Sequence, residues 1–568
     1  MLVSPSSWRS WLACGVWAFG PAAALAQDQA PAPVVEVVAA APGAEAAPAV
    51  ASSPGVVSTL GVVSTPGANA SGSPAPCATC PPPASVFKNA PPTRPAPRLG
   101  NFPVPPTGPG IYSALDAVRG SAPAAPPKYP YARFGLVGPG FFDADFRYLD
   151  DPKNKDTDYA DTLKRIPLGE NWLLSNGGEL RTRQQSEYNS RAGQVDNNYN
   201  LSRARTYLDL LYKDRFRFFV ELNATYSVNQ DLPALGVDES GPDIQNLFVD
   251  IKTFDYEGKP VYVRLGRQEL LLGSQRLIST LDWVNTRRTF QGVRAFRTGE
   301  KWDFDAFWLQ PVVPQANKLD SGDNNQNFVG GWLTYRPKKG TTIDVYNLTL
   351  DNTNDVTQQR LQRSPLTVNT TGARFAGDKD GFLYDFEGGF QLGKRGQQDI
   401  HAGFATAGVG YNWKETPLSP TLWLYYDYAS GDQNPGVGKY NTFNQLYPFG
   451  HYYLGWADIV GRQNIHDISV QHTIYPTRWL TVYAAYHRFF LDSSKDALYN
   501  IAGNAIRRDA SGAAGTDVGR EFDIIANAHL SKHVDLLAGY SYLFGGKFLK
   551  NTGASDSSTA FVQMSYRW

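Results

Sequence analysis

Past residue 30 the chain of 568 residues contains no run of 18 or more apolar side chains. That excludes a membrane-spanning helix, which needs about 20 of them to cross the hydrocarbon core. There is no charge excess of either sign, with 53 basic and 53 acidic residues, so the basic footprint of a nucleic-acid binder is absent. Cysteine is scarce, with three in all. Cys77 and Cys80 form a C-x-x-C in "PAPCATCPPPA". Pro81 stands where haem attachment requires His, and no second pair completes a zinc site. A local disulfide or two idle thiols remain. Histidine is also sparse, at seven. His529 and His533 are four apart but straddle a turn, and His466 and His472 are ~20 Å apart on an extended strand. Neither pair can share a metal. No G-x-S-x-G or H-E-x-x-H is present, so no nucleophile–base set can be assembled. The expectation is a protein without catalytic residues, metal or cofactor, and not an enzyme.

The chain opens with Arg9, an apolar stretch from Trp11 to Ala23, and the small-x-small run Ala24-Leu25-Ala26. This reads as a secretory signal peptide over 1–26. Residues 27–140 follow as an arm dominated to about residue 130 by Ala, Pro, Val, Gly and Ser. Such a composition buries too little apolar surface to offset its ordering entropy, and predicts a disordered periplasmic arm.

What is abundant from residue 141 onward is aromatic side chains in a period of two. In "RFRFFVELNATY" (215–226), Phe216, Phe218, Val220, Leu222, Ala224 and Tyr226 share one face. Arg215, Arg217, Phe219, Glu221, Asn223 and Thr225 share the other, since alternate side chains of a strand point to opposite faces. Eighteen such stretches recur, starting with "GELRTRQQSEY" (178–188) and ending with "TAFVQMSYRW" (559–568). Tight polar turns such as Lys213-Asp214, "RPKKG" and "SKH" alternate with long loops such as 311–326, 430–464 and 490–518. This is the pattern of an all-β, single transmembrane antiparallel barrel over 141–568, with both termini on the periplasmic, short-turn side. The apolar face of the last strand runs to Trp568 because the strand meets lipid and closes against the first. A soluble β-sandwich would not need an apolar exterior flanked by aromatics.

If the apolar faces point outward, the lumen receives Glu179, Arg181, Arg183, Arg203, Arg205, Asp209, Arg215, Arg217 and Glu221 from the first strands. Arg264, Arg288 and Arg294 follow, then a carboxylate-rich set including Asp305, Asp344, Asp385, Glu387, Asp427, Glu521 and Asp523. Arg–carboxylate ladders satisfy most of these charges, and arginines left over select anions. Parity places Arg267 and Glu269 on the lipid side, which requires either a bulge or a strand that has already risen above the membrane.

Four stretches carry a family resemblance: "DTLKRIPLG…LLSNGGELRTR" (161–183), "VRLGRQELLLGSQRLISTLDWVNTRRTFQGVRAF" (263–296), "YDYASGD" (426–432) and "FNQLYPFGHYYLGWADIVGRQN" (443–464). They are similar to blocks of the alginate export family of outer-membrane barrels. The resemblance implies an 18-stranded monomeric barrel with an arginine-lined channel for hydrophilic, anionic solutes or a polyuronate-like polysaccharide. It implies channel-lining or selectivity roles for Arg181, Arg183, Arg264, Arg267, Glu269, Arg287, Arg288, Arg294, Asp458 and Arg462, to which the strand pattern adds Arg203 and Arg205. Arg288 and Arg294 are the pair expected to set selectivity. The implied location is the outer membrane of a Gram-negative-type bacterium, with lipid, the barrel assembly machinery and an anionic saccharide or small solute as partners, and no nucleic acid. Three other readings stay open: a general porin for small neutral or aromatic solutes, a plugged structural barrel, and an energy-coupled transporter, against which the absence of a preceding folded plug domain counts.

Overall fold

The computed structural model describes residues 102–128, 131, 140–356, 359, 361 and 363–568. The expected signal peptide, Cys77, Cys80 and most of the 27–140 arm lie outside them. The described chain is dominated by a closed antiparallel barrel of 18 strands. In order these are β1 (Trp172–Tyr188), β2 (Asn197–Tyr212), β3 (Phe216–Val228), β4 (Ser240–Tyr256), β5 (Lys259–Gln268) and β6 (Phe290–Thr298). Then come β7 (Trp302–Val313), β8 (Gln326–Tyr335), β9 (Thr341–Val356), β10 (Ser364–Lys379), β11 (Phe382–Arg395) and β12 (Gln398–Asn412). The circuit ends with β13 (Thr421–Ala429), β14 (Ile465–Thr477), β15 (Leu480–Phe490), β16 (Asp517–His529), β17 (Val534–Gly545) and β18 (Ser557–Arg567). Each of the eighteen stretches read from sequence falls on one of these strands.

Every strand pairs with its neighbours in sequence, and β18 closes on β1, with Glu179 opposite Arg567 and Tyr188 opposite Ser558. No edge is left in the ring, as a sheet in hydrocarbon requires. The period of two sorts the side chains as expected. On β3, Phe216, Phe218, Leu222 and Tyr226 face out, while Arg217, Phe219, Glu221, Asn223 and Thr225 are buried inside. Arg215 departs from the expectation: the strand starts at Phe216, so Arg215 belongs to the turn and is exposed rather than lumenal. On β18, Val562 and Met564 face out and Phe561 points into the lumen. Aromatic pairs mark the short-turn end of the wall: Trp172 with Tyr212, Trp302 stacked on Tyr335, and Tyr566 stacked on Trp568. Amphipathic rings suit the water–hydrocarbon boundary, where girdles of them flank the apolar band of membrane barrels.

Two departures from a plain barrel position the functional site. First, β5 and β6 are short, and the loop between them (269–289) turns into the lumen. Gly266 and Gly292 face each other across this pair. Both have positive φ (126° and 145°), and a Cβ on either would lie within 2.3 Å of a neighbouring strand's carbonyl oxygen. The wall bends there because only glycine allows the backbones to approach so closely. Second, the 430–464 loop also folds inward and pairs with the first: Ser279 N donates to Tyr447 O, and Tyr447 N donates to Leu277 O, both at 2.9 Å. The interior is therefore filled with side chains from two inward loops as well as from the wall.

The outward face sets a simple test. Leu222 sits mid-strand and is 49% exposed, so Leu222→Arg would place a guanidinium near the bilayer midplane at a cost of about 2–4 kcal/mol. Folding into lipid vesicles, followed by heat-modifiable gel mobility, should be reduced, whereas Leu222→Ile should fold normally. Equal folding yields for Arg and Ile would refute the assignment of this face to lipid.

Candidate functional site: the charged lumen

The basic wall is built by β1 and β2, whose inward positions alternate Glu179, Arg181, Arg183 and Arg203, Arg205. The in-register pairing places Arg181 opposite Arg203 and Glu179 opposite Arg205. The inward loop brings Glu269, Asp282 and Arg287 against them. Arg203 donates to Glu179 (2.6 Å) and to Asp282 (2.8 Å). Arg287 makes a two-pronged contact with Glu269 (2.7 and 2.6 Å) and also pairs with Asp282. Arg205 pairs with Glu221 at 2.6 Å, and Arg567 reaches across the closure seam to Glu179 at 3.0 Å. All these groups are buried, so each stays charged only because a partner replaces its water. Asp282 shows the effect most directly. Burial opposes its ionisation, but Arg287 and then Arg203 outweigh burial and hold the carboxyl well below the usual carboxylate range.

Arg181 and Arg183 differ from their neighbours. Arg181 donates to the carbonyls of Asp282 (2.7 Å) and Val284 (2.6 Å), and Arg183 donates to the carbonyl of Trp283 (2.8 Å) while lying 3.8 Å over its ring. Among the described residues neither forms an ion pair with a carboxylate. Arg183 also leaves two of its nitrogens, Nε and Nη1, without a hydrogen-bond acceptor there. The wall thus carries positive charge that the carboxylates around it do not cancel.

Other expected residues sort differently. Arg264 and Arg294 face each other across β5 and β6 but are compensated, Arg264 by Asp250 (2.6 and 2.8 Å) and Arg294 by Asp305 (2.8 Å). Arg288 precedes β6 and donates to the carbonyls of Ser279 and Pro448, both at 3.3 Å. Burial without a carboxylate pushes its pKa down to about 10. Arg267 keeps outward parity beside Leu265, yet it sits at the strand end, bonded to Asp243 and to the carbonyls of Ile244 and Asp320. Glu269 corrects the parity expectation. The register runs unbroken to Gln268, the strand ends there, and the chain turns inward, so Glu269 is lumenal and no bulge is involved.

A second, acidic wall lies across the closure seam, with Glu521 and Asp523 on β16, Asp467 on β14 and Asp427 on β13. Arg462 pairs with Asp427, and His487 bonds Asp467 at 2.8 Å. The second inward loop seats on this wall through Gly455 (φ 92°), where a Cβ would strike the Glu521 carboxylate, and through Ala457 N, which donates to Glu521 at 2.9 Å. Asp458 connects the two walls: it accepts from His451 Nδ1 (2.7 Å) and from Trp283 Nε1 (2.9 Å). Trp283 is in turn stacked on His451 at 4.0 Å. On the short-turn side of this bridge a cavity of about 570 Å³ remains, lined by Arg217, Arg264, Arg294, Asp305, Trp332 and Lys338 among others.

Arg181, Arg183, Arg203, Arg205, Glu269 and Arg287 therefore form one cluster, which Asp458 touches through Trp283. Sequence reasoning missed Asp282, Trp283, Arg276, His451 and Arg567. Arg276 is buried and paired with Asp385 (2.8 Å) and Glu387 (3.0 Å). A loop residue's inward aim has no periodic signal, and only the density of Arg, Asp and Trp in 274–288 hinted at it.

The chain matches the family model described as "Alginate export" over residues 172–563. None of the curated proteins matches. Among solved structures it resembles OccAB1 of Acinetobacter baumannii, with a TM-score of 0.49, 12% identity, and 70% of this chain and 96% of that chain covered. It also resembles OccD3 (OpdP) of Pseudomonas aeruginosa, with 0.46, 11%, 69% and 91%, and the outer membrane protein OprD of the same organism, with 0.44, 11%, 69% and 94%.

The Asp282 network generates two expectations. Asp282→Asn takes one of two carboxylate partners from each of two buried guanidiniums, Arg203 and Arg287, which keep Glu179 and Glu269, so the local loss falls below the about 3–5 kcal/mol of a buried pair broken outright. Trypsin should then cleave the 269–289 loop at Arg276, Arg287 or Arg288 in barrels that remain folded, and unchanged resistance would contradict the network. A depressed folded pKa gives a contribution that is present above the unfolded value and lost only as pH falls through the lower folded one. The hydrogen-exchange protection of 279–284, corrected for the intrinsic fall of amide exchange with pH, should therefore hold level from pH 7 down to about 4.

Proposed function

The chain belongs to the alginate export family, and on that premise we propose that it is a passive outer-membrane channel whose lumen favours hydrophilic anions, acidic oligosaccharides of the polyuronate type included. The observation that supports this most is the uncompensated charge of Arg181 and Arg183 inside a closed barrel. A water-filled path beside two guanidiniums with no carboxylate partner attracts anions and repels cations, the way rings of Arg or Lys set the selectivity of anion pores. Asp305 cancels Arg294, whereas Arg288, like Arg181 and Arg183, bonds only carbonyls and keeps its charge, so selectivity rests on these three rather than on Arg294.

A uronate chain suits the geometry. It carries one carboxylate per sugar, and Arg203, Arg205 and Arg287 next to the unpaired two offer exchangeable ion-pair partners along β1 and β2. Two-pronged guanidinium–carboxylate contacts are strong, but when one partner is exchanged for another they release the bound group at little net cost. Action as a monomer and delivery by the barrel assembly machinery belong to the same reading.

A plugged structural barrel is the second reading, and one observation favours it: the two inward loops meet across the lumen through Trp283, His451 and Asp458. Electrical recording separates the two. In planar bilayers under a KCl gradient, open events of the unaltered protein should reverse on the chloride side. Arg181→Gln with Arg183→Gln should reduce the chloride-to-potassium permeability ratio by about two-fold or more. An unchanged ratio removes these residues from the role, and a complete absence of open events supports the structural barrel.

A further inference from the structure

We propose that residues 102–128 and 140–163 act as a stopper, inserted into the lumen from the short-turn end, that governs how often the channel conducts. The inference rests on the channel reading. The segment precedes the family match, which begins at residue 172.

The segment enters the lumen twice. Phe102 stacks on Tyr452 at 4.0 Å and on Phe449 at 6.0 Å, both in the second inward loop. Tyr452 in turn lies 5.4 Å from Tyr483, three residues into β15 and so ~10 Å above the short-turn rim. The second entry is Phe141 and Phe142. Phe141 stacks on Tyr207 at 4.8 Å beneath the Arg205 guanidinium at 4.3 Å. Phe142 meets Phe219 and Phe248 edge-on, with Arg264 4.7 Å away, and its carbonyl accepts from Arg217 at 2.8 Å. These rings cover the lower part of the basic wall, and Phe142 closes one side of the cavity on the short-turn side.

Outside the lumen the segment is latched to the rim. Ser113 Oγ and Leu115 N both donate to the carbonyl of Leu530, at 2.6 and 3.2 Å. Lys532 pairs with Asp156, and His533 lies 3.3 Å from Asp158. Arg165 pairs with Asp150, and Tyr159 shares a hydrogen bond with Tyr566 at 2.7 Å. These are ring contacts, single hydrogen bonds and partly exposed ion pairs. Among the described residues of 102–163 no strand pairs with the barrel wall. Withdrawal re-exposes the buried rings of Phe102, Phe141 and Phe142, each at a hydrophobic cost, but leaves the ring of eighteen strands intact, which is the arrangement a gate needs.

The test uses the full chain in planar bilayers. The triple variant Phe102→Ala, Phe141→Ala, Phe142→Ala should raise time-averaged conductance several-fold at an unchanged zero-current potential, with heat-modifiable gel mobility confirming a folded barrel. Should that variant fail to fold, urea added to the unaltered protein gives the second measurement: a reversible several-fold rise is expected at concentrations that leave the barrel's gel mobility unchanged. If the variant and the urea-treated protein conduct as the untreated protein does, with the same anion preference, the stopper is overturned and the channel reading stands. If neither ever conducts, both fall.

Discussion

The structure depends on one constraint: in hydrocarbon every backbone N–H and C=O must be paired within the protein. Helices are absent from the spanning part, so a sheet must do this, and a sheet does it only by closing. The β1–β18 pairing is thus the contact from which the rest follows. Closure assigns one face of every strand to lipid and the other to the interior. It also fixes where charge can go. Arginines and carboxylates on an 18-stranded wall have no exit except inward, and once inside they must pair with one another or face water.

On the channel reading proposed above, the arrangement of those charges makes the enclosed tube selective. Complete pairing would give a neutral, rigid lining. The basic wall departs from this at two positions, Arg181 and Arg183, whose hydrogen bonds go to carbonyl oxygens of the 282–284 loop instead of to carboxylates. Carbonyls satisfy the donors without cancelling the charge. The same contacts hold the 282–284 loop against the basic wall. The acidic wall at β13, β14 and β16 stands apart from them, separated by the Trp283–His451–Asp458 bridge, so the walls do not neutralise each other directly.

Much of this was legible in the sequence, for a physical reason. A strand with one face in lipid and one in the lumen must alternate, so the inward aim of Arg181, Arg183, Arg203 and Arg205 followed from parity alone. Parity failed where the chain leaves the sheet. Glu269 counts as outward only if β5 is extended past Gln268, where the strand in fact ends and the chain turns inward. For the same reason Asp282, Trp283 and His451 could not be placed, since loop residues have no period. Charge compensation was also invisible: Arg294 and Arg183 look alike in a strand pattern, and only the register that sets Asp305 beside Arg294 distinguishes them. The Phe102 insertion was hidden by composition, because one aromatic in an Ala/Pro-rich segment does not alter its average, while Phe141 and Phe142 were read as the start of the barrel, since aromatics rise from residue 141.

The central claim is that uncompensated positive charge on the basic wall makes the lumen prefer acidic solutes. The most direct measurement is release from liposomes containing the full chain, comparing oligouronates with neutral oligosaccharides of equal length. Uronates should be released faster and should lose that advantage as salt screens the guanidiniums. Equal rates, or faster release of the neutral sugars at low salt, would contradict it.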